Sequence, residues 1–359
     1  MKARNRIREV SFEGTPYQRG LQRGKRLGET LRVPALPDIP NDFVHACKKL
    51  VENHYPEALQ ECEGLIQGGG FSRQRMTTYY FARLESGVGG CTMFAVDGPR
   101  VGGNGSLVGR NYDWDVADLR WCELHRYDAP DGKRRIGYTH HWAGCADILN
   151  NAGLYAAIAS LPPVPTQAPG MQWNIALDMV SEKCSTVAQA AERLSAVRHL
   201  RPMSYLLADA SGRVAVAECT PQATHVRGPE DGVVIAANTP QGGRLTADWR
   251  NEEPGVTLPE PAGQKPEDFG SGAEEKSRRR IERTRELLSA VDQVDIDRVK
   301  TILRDHAAPI CRGNHDSRDR APFGTIWSGI CRPDTGEFSI APGLPCRTEY
   351  QQFRLAPAR

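Results

Sequence analysis

Apolar and polar positions along the chain change rhythm near residue 90. Before it the spacing is helical. Thr15-Pro16-Tyr17-Gln18-Arg19-Gly20 predicts a helix start with Pro in its first turn. Phe43, Val44, Ala46, Leu50 and Val51 recur at roughly the 3.6 period and predict a helix over about 40–66, broken by Gly68-Gly69-Gly70. A third helix is predicted over 73–85. After that the texture is strand-like. Cys91–Val96 and Leu107–Asp113 flank the turn-rich Asp97–Gly105, a strong hairpin signal. Further strands are predicted at 122–127, 135–142, 153–159, 203–209, 213–219 and 233–237, with helices near 174–181 and 186–197. Residues 250–276, rich in Pro, Gly and Glu, read as a mobile surface loop. Ser277–Leu288 reads as a basic helix with Ile281, Thr284, Leu287, Leu288 and Val291 as its apolar stripe. Its arginines, Arg278, Arg279, Arg280, Arg283 and Arg285, read as a solvated face paired with Glu282 and Glu286. A second hairpin joins Gly324–Cys331 to Glu337–Ala341. Hairpin-like pairs of strands among helices predict antiparallel sheets packed with helices, not a doubly wound parallel sheet.

Composition narrows the function by exclusion. With 46 basic and 44 acidic residues among 359, the formal charge is +2, which gives no support for a nucleic-acid or anionic-membrane partner. No run of 18 apolar residues occurs, and Met1-Lys2-Ala3-Arg4-Asn5-Arg6 is followed by no apolar signal core, so a cytoplasmic protein is expected. The ten cysteines stand singly, with no CxxC pair, unlike a zinc ribbon or a dense disulfide framework. The nine histidines form no HExxH, and the adjacent His140 and His141 would point apart. Neither a metal nor a cofactor is expected.

One cysteine stands in an unusual setting. Gly89-Gly90-Cys91-Thr92 leads directly into the strand-like Met93-Phe94-Ala95-Val96. A thiol at the head of a strand, behind a glycine, is well placed to attack its own preceding carbonyl. Cleavage between Gly90 and Cys91 would leave a new N-terminus with both a thiol and an α-amine. Such an amine has a pKa near 8 and can serve as the nucleophile's base. Arg110-Asn111-Tyr112-Asp113-Trp114-Asp115, on the second strand of the same hairpin, is the candidate supporting segment. Asp113 would hold or orient the amine, while Asn111 would donate to an oxyanion or to backbone. Asn238, ending an apolar run before Thr239-Pro240, is a candidate oxyanion donor. Arg110, Asn111, Trp114 and Thr92 are further candidates for support or substrate binding. Two other readings stay open. One is a papain-like hydrolase without self-cleavage, pairing Cys91 with His140 or His141 and Asp147, or with His315 and Asp316. The other is a catalytically inactive binding relative.

Taken in order, Glu13–Gly20, Glu63-Gly64, Arg83-x-Glu85, Gly90-Cys91-Thr92, Asn111-Tyr112-Asp113-Trp114, Gly324-Thr325-x-x-Ser328 and Gly343-x-Pro345-Cys346 resemble the acyl-coenzyme A:6-aminopenicillanic acid acyltransferase family, self-processing N-terminal-nucleophile (Ntn) hydrolases. The resemblance implies an α+β fold, a four-layer αββα sandwich with antiparallel sheets. It implies cleavage between Gly90 and Cys91 into residues 1–90 and 91–359, which stay associated, the second forming the Ntn core. It casts Cys91 as the nucleophile that forms an acyl-thioester, Asp113 as support for its amine, and Asn238 as the oxyanion asparagine. The expected partners are a small-molecule amide or acyl donor of secondary metabolism and an amine acceptor or water. Relatives often carry Asn-His where this chain has Asn238-Thr239, and commonly Asn where it has Phe81.

Overall fold

The structure, a computed structural model, describes residues 6–28, 38–83, 90–140, 144–162, 168–242, 271–313 and 323–356. In chain order its elements are β1 (Arg8–Glu13), α1 (Pro16–Gly28), α2 (Asn41–His54), α3 (Glu57–Gly69), α4 (Arg73–Ala82), β2 (Thr92–Val96) and β3 (Leu107–Asp115). Next come β4 (Glu123–Asp128), β5 (Arg134–Thr139), β6 (Asp147–Asn150), β7 (Leu154–Ser160), α5 (Trp173–Lys183), α6 (Val187–Ser195), β8 (Met203–Asp209) and β9 (Val214–Cys219). The described chain closes with β10 (Thr224–Arg227), β11 (Val233–Ala236), α7 (Ser271–Ser289), α8 (Ile296–Leu303), β12 (Phe323–Arg332), β13 (Glu337–Pro342) and β14 (Gln351–Arg354).

Two sheets stack. The larger runs β1-β4-β5-β6-β7-β8-β9-β10, and the smaller β11-β2-β3-β12-β13-β14. β7, β8 and β9 are buried along their whole length. Their near-continuous apolar runs, lacking clean alternation, follow from being covered on both faces. Helices α5 and α6 cover the larger sheet on one side, and the smaller sheet meets it on the other. Phe94, Val96 and Leu107 turn to the outer face of the smaller sheet, against Ile281 and Leu288 of α7 and Val299, Ile302 and Leu303 of α8. Met93, Ala95 and Val108 turn inward, into the core between the sheets. The layers are therefore helix, sheet, sheet, helix, an α+β sandwich.

The described residues before Gly90 are joined to this sandwich by close packing and buried charge. A Cβ added at Gly20 would lie 2.0 Å from the Glu61 carbonyl oxygen, and one at Gly64 2.1 Å from that of Tyr17. Glycine is what lets α1 and α3 bring their backbones this close. Arg23, on α1, pairs with Glu61 at 3.0 Å and donates to the Tyr127 hydroxyl at 2.6 Å. Arg19 reaches Glu182 of α5 at 2.5 Å, and Arg135 pairs with Asp178 at 3.0 Å. Buried ions need this kind of pairing, since an isolated one is strongly disfavoured.

Several boundaries differ from expectation. The helix expected over 40–66 is two, α2 and α3, parted at Tyr55-Pro56, and α3 runs through Gly68 and Gly69 to end at left-handed Gly70 (φ +62°). The helix expected over 73–85 stops at Ala82. Residues 8–13 form a strand, and its pairing with β4 is parallel. Of the expected loop 250–276, residues 250–270 lie outside the described residues, while 271–276 open α7. Among the described residues, no helix is long and apolar enough to cross a membrane.

Candidate active site

The antiparallel register of β2 and β3 sets Thr92 opposite Asn111 and Met93 opposite Arg110. Alternation then sorts the motif by face. Arg110 and Tyr112 share the inner face with the fully buried Cys91, whereas Asn111 and Asp113 share the outer, helix-covered face with Thr92. A bulge between Thr325 and Trp327 on β12 extends this sorting. It sets Thr325 opposite Asp113 and Trp327 opposite Tyr112, so two residues that ordinary pleating would align serve opposite faces.

On the inner face, Arg110 Nη2 lies 3.8 Å from the Cys91 sulfur. Arg110 is held by the carbonyls of Ala146 (2.8 Å) and Ile158 (2.6 Å), by an ion pair with Asp147, and by the Tyr112 ring at 4.9 Å. Burial pushes the Cys91 thiol up, helped by the negative charge of the Asp113 carboxylate, while Arg110 and the Asp113 backbone N–H pull the other way. Trp114 donates to Asp118 at 3.1 Å and packs against Tyr112 and His140.

The outer face grips the main chain of Cys91. Its N–H donates to Asn238 Oδ1 at 2.7 Å. Arg280 Nη2 donates to the Cys91 carbonyl at 3.3 Å and to Asn238 Oδ1 at 3.0 Å, while its Nε donates to Thr92 Oγ1 at 3.0 Å. Two donors converging on Oδ1 fix the orientation of the Asn238 amide. Its Nδ2 donates to Ser160, at 2.8 Å to the carbonyl and 3.3 Å to the hydroxyl. Asn238 thus holds the Cys91 amide here instead of presenting a donor to an oxyanion.

Asp113 completes this side. Oδ1 accepts from Thr325 Oγ1 at 2.7 Å, and Oδ2 has no hydrogen-bond partner among the described residues. Any Cβ at Gly90 would meet that Oδ2 at 2.9 Å and Arg312 Nη1 at 2.7 Å, so a larger residue there would displace the ends of those two side chains. Burial pushes the Asp113 carboxyl up to about 7, against the pull of Arg280, Thr325, Arg312 and Arg110. The unfolded carboxyl would ionise near its ordinary 3.8. Between those values the folded state keeps a proton the unfolded chain has released, so stability falls as pH rises through the window. In a Cys91→Ala background, urea melts should show a loss of up to about 1.4 kcal/mol per pH unit from this group. Adding Asp113→Asn should remove that slope and leave the chain more stable at pH 8; equal slopes in both would contradict the assignment.

Asn111 takes another role. Its Nδ2 donates to the Leu303 and Ile310 carbonyls, both at 2.8 Å, tying the end of α8 to β3 and away from the thiol. The His140–Asp147 pairing of the alternative papain-like reading does not assemble. Asp147 is taken by Arg110 and by Trp327 Nε1 at 2.8 Å, while the His140 ring packs at tilted angles against Tyr112, Trp114 and Trp327. His141, His315 and Asp316 lie outside the described residues, as does Gly89. Arg280 is the residue that sequence reasoning misplaced. It is only 3% exposed, and lies four positions before buried Thr284 on the stripe that also buries Ser277 and Leu288. That spacing was the available signal.

The fold is that of the Ntn hydrolases. Penicillin V acylase from Agrobacterium tumefaciens superposes with a TM-score of 0.50 at 17% identity, over 74% of this chain and 86% of that one. The conjugated bile acid hydrolase of Clostridium perfringens gives 0.46 at 15% identity, over 74% and 98%. The Caenorhabditis elegans ortholog of N-acylethanolamine-hydrolyzing acid amidase gives 0.46 at 12%, over 74% and 100%. No curated protein matches the chain at the sequence level. Residues 100–345 match the model of the acyl-coenzyme A:6-aminopenicillanic acid acyl-transferase family, and the chain belongs to that family. It is accordingly an enzyme of acyl-group chemistry at carbon–nitrogen bonds.

Proposed function

We propose that the chain is a self-processing cysteine enzyme whose nucleophile is Cys91. The observation that carries this is the grip on the Cys91 main chain, from Asn238 on its N–H and Arg280 on its C=O. An internal nucleophile commonly keeps its own N–H for the substrate oxyanion, whereas here Asn238 already occupies it. In maturation, the thiol adds to the Gly90 carbonyl and the Gly90–Cys91 C–N bond breaks, giving a thioester and a free amine. Water then hydrolyses the thioester and releases the Gly90 carboxylate. Asp113 Oδ2, an acceptor left without a hydrogen-bond partner beside Gly90 among the described residues, suits the emerging ammonium. A carboxyl half-protonated near neutrality can take up and return that proton.

In turnover, the α-amine accepts the Cys91 proton as the sulfur attacks an acyl donor. The amine's proton then passes to the leaving group, and an amine or water resolves the acyl-enzyme. Arg110 supplies positive charge beside the sulfur, countering part of the burial that disfavours thiolate. The activity in the family's name and that of the acylase sharing the fold support a small N-acyl compound as substrate. Exposing the matured enzyme to N-acyl amides and acyl thioesters, then quenching in acid, should add one acyl mass to the 91–359 piece. An acyl mass on the 1–90 piece, or none with any donor, would overturn the assignment.

A further inference from the structure

Behind the site, the segment after α8 meets the turn after β13. There Cys311 Sγ and Cys346 Sγ stand 3.6 Å apart. A ring nitrogen of His306 joins them, and all three ligand atoms lie within 4.8 Å of one another. Cys311 is buried, Cys346 half-buried and His306 exposed, so the group opens to solvent on one side. Gly343-x-Pro345-Cys346, which the acyl-transfer chemistry leaves without a task, supplies one member.

We infer that Cys311, Cys346 and His306 bind one zinc-class divalent cation, with water as the fourth ligand. Two thiolates and an imidazole are donors that suit Zn²⁺. Tetrahedral zinc with Zn–S bonds of about 2.3 Å sets its sulfurs about 3.8 Å apart. The observed 3.6 Å is close to that, whereas a disulfide would require about 2.05 Å. Each thiol releases its proton to solvent on binding, so Zn²⁺, two thiolates and a neutral imidazole form an uncharged group suited to a half-buried place. The two segments are already fastened. Arg304 Nε donates to the Pro345 carbonyl at 2.9 Å, Cys311 N–H donates to the Asp305 carbonyl at 2.9 Å, and Arg347 N–H donates to the Leu344 carbonyl at 2.9 Å. The ion acts as a clip. It fixes Arg312, next to Cys311, whose N–H donates to Thr325 Oγ1 at 3.0 Å, the hydroxyl that in turn donates to Asp113. A scan by ligand spacing misses the site because its cysteines are 35 residues apart.

The test uses full-length protein purified under reductant, stripped with chelator and titrated with Zn²⁺, and in parallel with Co²⁺ as a spectroscopic stand-in. Wild type should take up one ion per chain and show a thiolate-to-cobalt charge-transfer band, and Zn²⁺ should raise its melting temperature. Cys346→Ser should lose all three responses. If that variant does not fold, His306→Ala, at an exposed position, should still weaken Zn²⁺ binding. Loss of a direct ligand costs at least the roughly 10–100-fold that loss of an outer-shell partner does. An ion retained by Cys346→Ser, affinity unchanged in His306→Ala, no uptake by reduced wild type, or a Cys311–Cys346 disulfide that excludes metal would each overturn the proposal.

Discussion

Cys91→Ala is expected to leave purification as one uncut chain with no acyl-transfer activity, while wild type yields two pieces, residues 1–90 and 91–359. Denatured intact mass reads both. Alanine keeps the buried backbone position and its bonds to Asn238 and Arg280, but removes the sulfur that would attack the Gly90 carbonyl. The loss should therefore be complete, with the melting temperature close to that of the parent. Cys91→Ser separates the two stages further, because an oxygen nucleophile can still cut, more slowly, when its base is weak. A wild type that stays whole after prolonged incubation, yet turns over substrate, would refute self-processing.

Arg280→Met and Arg280→Lys are both expected to slow self-cleavage by about 10²–10³-fold, the range seen when one preorganised donor is removed from an active site. Arg280 reaches three acceptors, on Cys91, Thr92 and Asn238, by means of a planar fork. A lysine ammonium keeps the charge but cannot reproduce that geometry. Arg280 is a positioning residue, so the decisive readout is the time course of cleavage in samples whose far-UV spectra match wild type. Cleavage by Arg280→Lys at the wild-type rate would show that charge alone suffices and that the fork is dispensable.

What could be read in the chain came from local signals. The Asp97–Gly105 turn placed β2 against β3, and with them Cys91 beside the Arg110–Asp113 segment. Asn238 could be found because it ends an apolar run that became β11, paired with β2 at Ile235 and Phe94. The contributions that escaped were those fixed by long-range geometry. Arg280 reads as solvated because its helix is rich in arginine, although its place four residues before Thr284 puts it on the stripe that packing buries. Asn111 was equally plausible as an oxyanion donor or a backbone tie, and pairing with Thr92 turned it toward α8. The bulge between Thr325 and Trp327 carries no mark in the sequence, although it decides which of the two serves Asp113. β1 was missed because a short, half-exposed edge strand has little apolar pattern to show.

If the chain cuts itself as proposed, the buried polar pairs made by α1 would govern the fate of the molecule. Arg19 with Glu182 and Arg23 with Tyr127 link the two sides of the Gly90–Cys91 bond without using it. Cutting that bond leaves every one of these contacts in place, so the matured molecule should melt much like the uncut one. Its return path differs. Before the cut, refolding is an event within one chain; afterwards two pieces must find each other, and success depends on concentration. Under the proposed self-cleavage, maturation would act as a ratchet: it would leave the folded state intact while making unfolding, in dilute solution, close to irreversible.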